Sequence, residues 1–228
     1  MADKEQGAAK VAADNQPAPQ AAAAQQVAVQ AAGTEAELDP IDPTLVTTGT
    51  PCEGGCAWVA FGDNVTEPTD AVTKMSTLND YASCGDVGED GYTATKSISN
   101  SEFKNWAEQI VFVKLSEEKH QYKIAFIETV RGSVAKLRYG SDAVEFGADG
   151  AISHIKAISG KNEPVSLVLD ELEDTGYLRR TVLHKAVIDS FDDVVHKPGE
   201  LISYGFTFTL LKPKGKDYFD IYRAKPAQ

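Results

Sequence analysis

The stretch Leu201-Ile202-Ser203-Tyr204-Gly205-Phe206-Thr207-Phe208-Thr209-Leu210-Leu211 carries the plainest structural signal in the chain. Ile202, Tyr204, Phe206, Phe208 and Leu210 alternate with Ser203, Gly205, Thr207 and Thr209. Side chains of a strand point to opposite faces in turn, so this pattern sets large apolar groups on a core and small polar ones on the other side. It reads as a half-buried antiparallel strand. Lys212-Pro213-Lys214-Gly215-Lys216 follows as a turn, and Asp217–Tyr222 reads as the next strand.

Working backwards, the same period recurs. Thr181–Ile188 is rich in branched residues, and Pro164 opens Val165-Ser166-Leu167-Val168-Leu169, with Val165, Leu167 and Leu169 on one side. Ala151–Ile158 is a shorter run. Gln109–Leu115 and His120–Ile127, joined by the polar Ser116-Glu117-Glu118-Lys119, read as a β-hairpin, with Tyr122, Ile124 and Phe126 sharing a face. Between Glu128 and Tyr139 the period changes. Ile127, Val130, Val134 and Leu137 form a helical stripe, and Gly140 stands where a helix ends on glycine. Gly132 inside that segment costs helix stability, so the helix needs a sheet to pack on. Seven or eight strands with one helix predict a mainly β fold, an antiparallel sandwich or barrel with one packed α-helix.

Two regions depart from this pattern. Residues 61–101 carry Gly62, Pro68, Gly85, Gly88 and Gly91 among many Asp, Asn, Ser and Thr residues, and read as a long ordered loop with a short helical turn. Its apolar residues Val72, Met75, Leu78 and Tyr81 are expected to contact something. Residues 1–50 form an Ala/Gln-rich arm, and the first aromatic of the chain is Trp58. Such a segment buries too little apolar surface to offset its ordering entropy, so it is expected to be flexible or partner-dependent, with the β-rich domain over 51–228.

Charge narrows the function classes. The 228 residues carry 22 Lys and Arg against 34 Asp and Glu, a net charge of -12. Residues 1–56 hold two basic and eight acidic residues, so half of that charge sits in a quarter of the chain. So acidic a chain is poorly suited to gripping phosphate backbones or an anionic membrane surface. No run approaches the roughly 20 apolar residues of a membrane span, and the first residues lack the pattern of a secretory signal.

The chemistry-bearing residues form no reaction centre. Cys52-Glu53-Gly54-Gly55-Cys56, with Cys84, is the most conspicuous group. Unpaired thiols, a disulfide or a metal site are all open to it, but no histidine stands near it in sequence. His120, His154, His184 and His196 each fall in or beside a strand, in no metal-binding spacing. Asp189-Ser190-Phe191-Asp192-Asp193 lacks the ligand spacing of a cation loop and reads as a solvated turn. Asp170-Glu171-Leu172-Glu173-Asp174 reads as a charge run after a strand. No nucleophile elbow, phosphate loop or dinucleotide fingerprint is present. The expectation is a protein that is not an enzyme, without cofactor or catalytic residues. A β-sandwich binding module with the long loop as ligand site is one class that fits; a metal hydrolase using the three cysteines is a distant other.

One succession of segments is more specific. Glu67-Pro68-Thr69-Asp70-Ala71 opens a stretch that ends in Cys84-Gly85-Asp86-Val87-Gly88-Glu89-Asp90-Gly91-Tyr92, and a strand up to Asn105-Trp106 follows. The hairpin comes next, then the helix from Glu128-Thr129 to Tyr139-Gly140. Arg179-Arg180 then leads into Val182–Ile188, and Gly199–Tyr204 into Phe206–Leu211. In this order, over residues 57–223, the chain resembles the major tail protein, or tail tube protein, of long non-contractile-tailed bacteriophages. The Ala/Gln-rich arm and the Cys52–Cys56 segment are not part of the resemblance. It implies a structural virion protein, assembled in the bacterial host cytoplasm, that forms hexameric rings stacked into a hollow tube for genome delivery. The implied partners are further copies of the chain and other tail proteins such as the tape measure and the tail tip or terminator. DNA would pass through the lumen without specific binding. A tail terminator or a capsid decoration protein is the neighbouring possibility. Pro68, Val72, Met75, Leu78, Tyr81 and Tyr92 are the expected contact residues between subunits or rings.

Overall fold

A computed structural model describes residues 46–52, 55–156 and 163–225, which belong to one unit, Asp42–Gln228. The arm up to residue 45 lies outside the described residues. The strands are β1 Gly49–Pro51, β2 Ala57–Phe61, β3 Ala82–Gly85, β4 Val87–Lys104, β5 Ile110–Phe126, β6 Val144–Phe146 and β7 Ile152–Ile155. They continue as β8 Val165–Glu173, β9 Leu178–Phe191, β10 Tyr204–Leu210 and β11 Phe219–Ala224, with one helix, α1 Gly132–Tyr139. The fold is mainly β, as the alternating patterns require. Every described pairing is antiparallel. β1 pairs with β8 through Gly49–Glu173, Thr50–Leu172 and Pro51–Glu171.

The main sheet runs β3-β2-β8-β9-β10-β5-β4, with β1 on β8, β11 on β9, and β6-β7 as a separate pair. Its two end strands, β3 and β4, are separated in the chain by Asp86 alone. Six inter-strand spacings would hold them about 29 Å apart in a flat sheet. A two-residue step spans at most about 7 Å. The sheet is therefore rolled until its edges meet, with Asp86 at the closing corner. Cys56 N donates to Gly85 O and Ile127 N to Asp86 O, each at 3.3 Å, tying both edges to that corner. Gly85 has φ +76°, and a Cβ there would run into the Glu128 carboxylate, which accepts from Asp86 N at 3.1 Å.

Alternation fills the interior. Phe206, Phe208 and Leu210 of β10 meet Tyr122, Ile124 and Phe126 of β5, and Val165, Leu167 and Leu169 of β8 join Ala57 and Val59 of β2. Val134 and Leu137 of α1 pack into the same cluster. The helix starts four residues later than the stripe implies, and Val130 is exposed. Gly140 ends it as expected, its N–H reaching Lys136 O at 2.8 Å. Gly132 is explained by Phe146, whose ring lies where a Cβ would go.

The other face of the sheet is covered too. Ala60, Val168 and Val182 pack with Met75 and Tyr81 from the β2–β3 loop, 62–81, flanked by Trp58, Val65, Leu78 and Tyr222. This explains why β8 is apolar at successive positions: it is buried on both sides.

Candidate assembly surface

Two strands differ from the sequence reading, and together they form the most distinctive feature. Residues 87–101, which composition reads as loop and the resemblance reads in part as strand, belong to β4, an 18-residue strand. Ser116–Lys119, read as a hairpin loop, lies inside the 17-residue β5. The real turn is Asn105–Gln109, closed by Asn105 N to Gln109 O at 2.9 Å and by the Asn105 side chain accepting from Gln109 N at 3.0 Å. Polar residues mislead here because this ribbon is solvated on both faces. Every residue from Thr93 to Glu117 is exposed.

β10 supports β5 only as far as the Thr209–Gln121 pair. Beyond it, Lys96–Lys104 and the facing half of β5 have no third strand among the described residues, an extension of about 30 Å. Opposed residues of an antiparallel pair share a face. One face carries Thr93, Thr95, Ser97, Ser99 and Ser101 against Lys123, Gln121, Lys119, Glu117 and Lys114. The other continues the interior face of the barrel outward, from Tyr92–Ile124 and Ala94–Tyr122, and carries Asn100, Glu102 and Lys104 among the apolar Ile98, Leu115, Val113 and Ile110. These last four are 54, 51, 51 and 52% exposed. The register shift at Ser99/Asn100 makes this possible: Ser116 is the extra residue, which turns Leu115 and Val113 onto the apolar face. Lys96 and Glu118 neutralise one another on that face at 2.7 Å. Phe103 and Phe112 pair at 5.7 Å near the tip, and Trp106 stands fully in solvent.

The base of the ribbon is fixed by charges and rings. Lys119 and Gln121 reach Asp189 at 3.3 and 2.9 Å, and Lys123 reaches Asp192 at 3.0 Å. They pass over the small Thr207 and Thr209 of β10, the strand between β5 and β9. The acidic segment at 189–193 is therefore the end of β9 and the start of the next loop, and it anchors the ribbon. His120, buried, lies 3.0 Å from Glu118 Oε1 and packs on Tyr218 and Phe219.

The expected contact residues sit elsewhere. Pro68, Met75 and Tyr81 are buried in this chain's own structure, and Tyr81 hydrogen-bonds Ser166 Oγ at 2.8 Å. Met75 and Tyr81 pack with Ala60, Val168 and Val182 on the outer face of the sheet. Leu78 and Tyr92 are half-buried, Tyr92 stacking on Tyr122 at 6.1 Å, and Val72 is exposed. The β2–β3 loop is held down by Arg180. Its guanidinium pairs with both Asp170 oxygens at 2.7 and 2.8 Å and donates to Asp70 O and Thr73 O at 3.0 and 2.8 Å. Asp70 shapes the same turn by accepting from Val72 N and Thr73 N. The 170–174 charge run thus lies largely within β8 and serves the fold. A cavity of about 340 Å³ remains under the loop, with Cys52, Trp58, Val72, Met75 and Arg179 in its lining.

Cys52, Cys56 and Cys84 are free thiols. Burial pushes the Cys84 thiol up to about 12 and, with Asp170 nearby, Cys52 to about 11; burial raises Cys56 as well. Among the described residues no three His, Cys, Asp or Glu side chains converge to hold a metal, and no helix is long and apolar enough to cross a membrane.

No protein-family model and no curated protein matches the sequence. Among solved structures, the chain is similar to one from the anti-feeding prophage baseplate, 6-fold symmetrised, at 8% identity and TM-score 0.38, covering 79% of this chain and 100% of that one. It is also similar to one from the anti-feeding prophage cap, the tube terminating cap, at 9% identity and TM-score 0.33, covering 78% and 95%. At these values the likeness does not establish a common fold, and no functional conclusion rests on it.

Proposed function

We propose that this chain is a structural, non-catalytic subunit of a phage tail, which assembles as stacked rings into a hollow tube that conducts the genome. The β4–β5 ribbon carries the proposal. Exposed Ile98, Leu115, Val113 and Ile110, set opposite Glu118, Asn100, Glu102 and Lys104 on one face and flanked by two strand edges unpaired among the described residues, are an aggregation hazard on a monomer and a joint in an assembly. A second copy supplies both missing elements, strand edges to pair with and an apolar surface to cover Ile98, Leu115, Val113 and Ile110. Where the second copy offers a patch other than its own ribbon, the contact is heterologous and closes into rings or propagates as a filament. The succession of segments over 57–223 supports a tail tube protein in particular. The net charge of -12 suits a conduit for DNA, since like charge discourages the duplex from adhering.

Negative-stain electron microscopy of the purified chain across a concentration series tests this. Hollow tubes or stacked rings are expected. Rings of one size that never elongate would point instead to a terminator. A strictly monomeric field at high concentration, also in the presence of preformed tail tips, would overturn the proposal and leave a binding module, with the cavity under the β2–β3 loop as its site.

A further inference from the structure

The β2–β3 loop has a second fastening besides Arg180, centred on His184 of β9. The His184 side chain is 5% exposed, with Nδ1 2.9 Å from Glu67 Oε2 and Nε2 3.4 Å from Asp220 Oδ2. Glu67 belongs to the loop and Asp220 to β11. Lys216, in the β10–β11 turn, also pairs with Glu67. Asp217 stands close by: Lys212 chiefly, and His184 more weakly, hold its carboxyl below the usual range. Tyr222 donates to Asp220 at 3.1 Å, and Lys185, next along β9, pairs with Asp63 of the loop at 2.7 Å.

The ring therefore faces a carboxylate oxygen with each nitrogen. An imidazolium hydrogen-bonds Glu67 through Nδ1 and meets Asp220 at 3.4 Å as an ion pair. A neutral ring has one N–H, and turns a lone pair on the other carboxylate. Without the proton, Glu67, Asp220 and Asp217 are left around a nearly inaccessible ring, with Lys216 on Glu67 and Lys212 on Asp217 as the facing cations. Hydrogen bonds to charged groups weaken when one partner loses its charge.

We propose that Glu67, His184 and Asp220 form a proton-dependent clasp that holds the β2–β3 loop over the outer face of the sheet. The sign follows from the chemistry. The clasp is closed while the imidazole is charged and the carboxylates are ionised, and it loosens as pH rises and the ring gives up its proton. What it controls is the cover over Ala60, Val168 and Val182, and with it the seating of Met75 and Tyr81.

Hydrogen exchange of the full chain, corrected for intrinsic rates and followed by mass spectrometry, tests the clasp. Between pH of about 5.5 and about 8, corrected exchange in the peptide spanning 62–74 should rise about fivefold, the order expected for exchanging a charge-assisted bond for a neutral one. Peptides from β8 and β9 should not change. His184→Gln should remove the pH response. Asp220→Asn, at a half-exposed position on an outer strand, should also flatten it and keeps the test open should His184→Gln fold poorly. A loop with equal protection at both pH values, or an unchanged response in Asp220→Asn, would overturn the proposal.

Discussion

Replacing Ile98 and Leu115 together with serine should abolish or sharply weaken assembly while leaving the isolated subunit intact. Both side chains are about half exposed in the single chain, at 54 and 51%, so roughly half of each remains to be buried in a joint. Full burial of such a side chain is worth about 1.5–3 kcal/mol. The half still open is therefore worth about 1 kcal/mol per residue, or about 2 kcal/mol per joint for the pair. That is a factor of about 30 in the association constant of each contact. The concentration at which rings or tubes appear in sedimentation velocity should rise at least as much. The midpoint of urea unfolding of the monomer should move little, because neither residue is in the core. Serine at Ser97 and Ser99 already sits on the opposite face, so a control at Thr95→Ser should change neither reading. Assembly of the double variant at the wild-type concentration would refute the assignment of the joint to this face. An equal loss of monomer stability would show the two residues to be structural.

Other positions report on the framework. Arg180→Met should cost about 3–5 kcal/mol, because it leaves Asp170 without its partner in a site where the pair is 5 and 15% exposed. Arg180→Met with Asp170→Leu should cost less than the single change, as read by urea unfolding. Gly85→Ala should cost about 1–2 kcal/mol for the left-handed backbone alone, and more where Glu128 must give up Asp86; thermal unfolding checks it. In native protein at pH 8 an alkylating reagent should leave Cys84 untouched and modify Cys52 slowly. The Cys52 rate should climb with pH towards about 11, since burial and Asp170 keep the thiol protonated below that, and all three cysteines should react at once after denaturation.

Much of this fold can be read from local pattern. Phe206, Phe208 and Leu210 alternate with small residues, and a pattern of that kind has one stable solution, a strand with one face buried. The Val165–Leu169 run, the end of the helix at Gly140 and the turn over Lys212–Lys216 follow from equally local rules. The ribbon does not. Its residues alternate Thr93, Thr95, Ser97, Ser99 and Ser101 with a mixture of apolar and charged groups, and composition alone makes that a loop. It is a strand because β5 pairs with it from Ile124 out to Ile110, a long-range decision that no window on the sequence contains. For the same reason Pro68, Met75 and Tyr81 could be recognised as contact-making, but not as contacts within the chain. Sequence determined that this protein is acidic, β-rich and built on alternating strands, because side-chain chemistry and period two act residue by residue. Tertiary structure alone decided that the sheet rolls shut at Asp86, that the β2–β3 loop is consumed as a cover, and that the barrel's apolar face runs out into solvent along β4 and β5, because each depends on which distant segments pair and where that pairing stops.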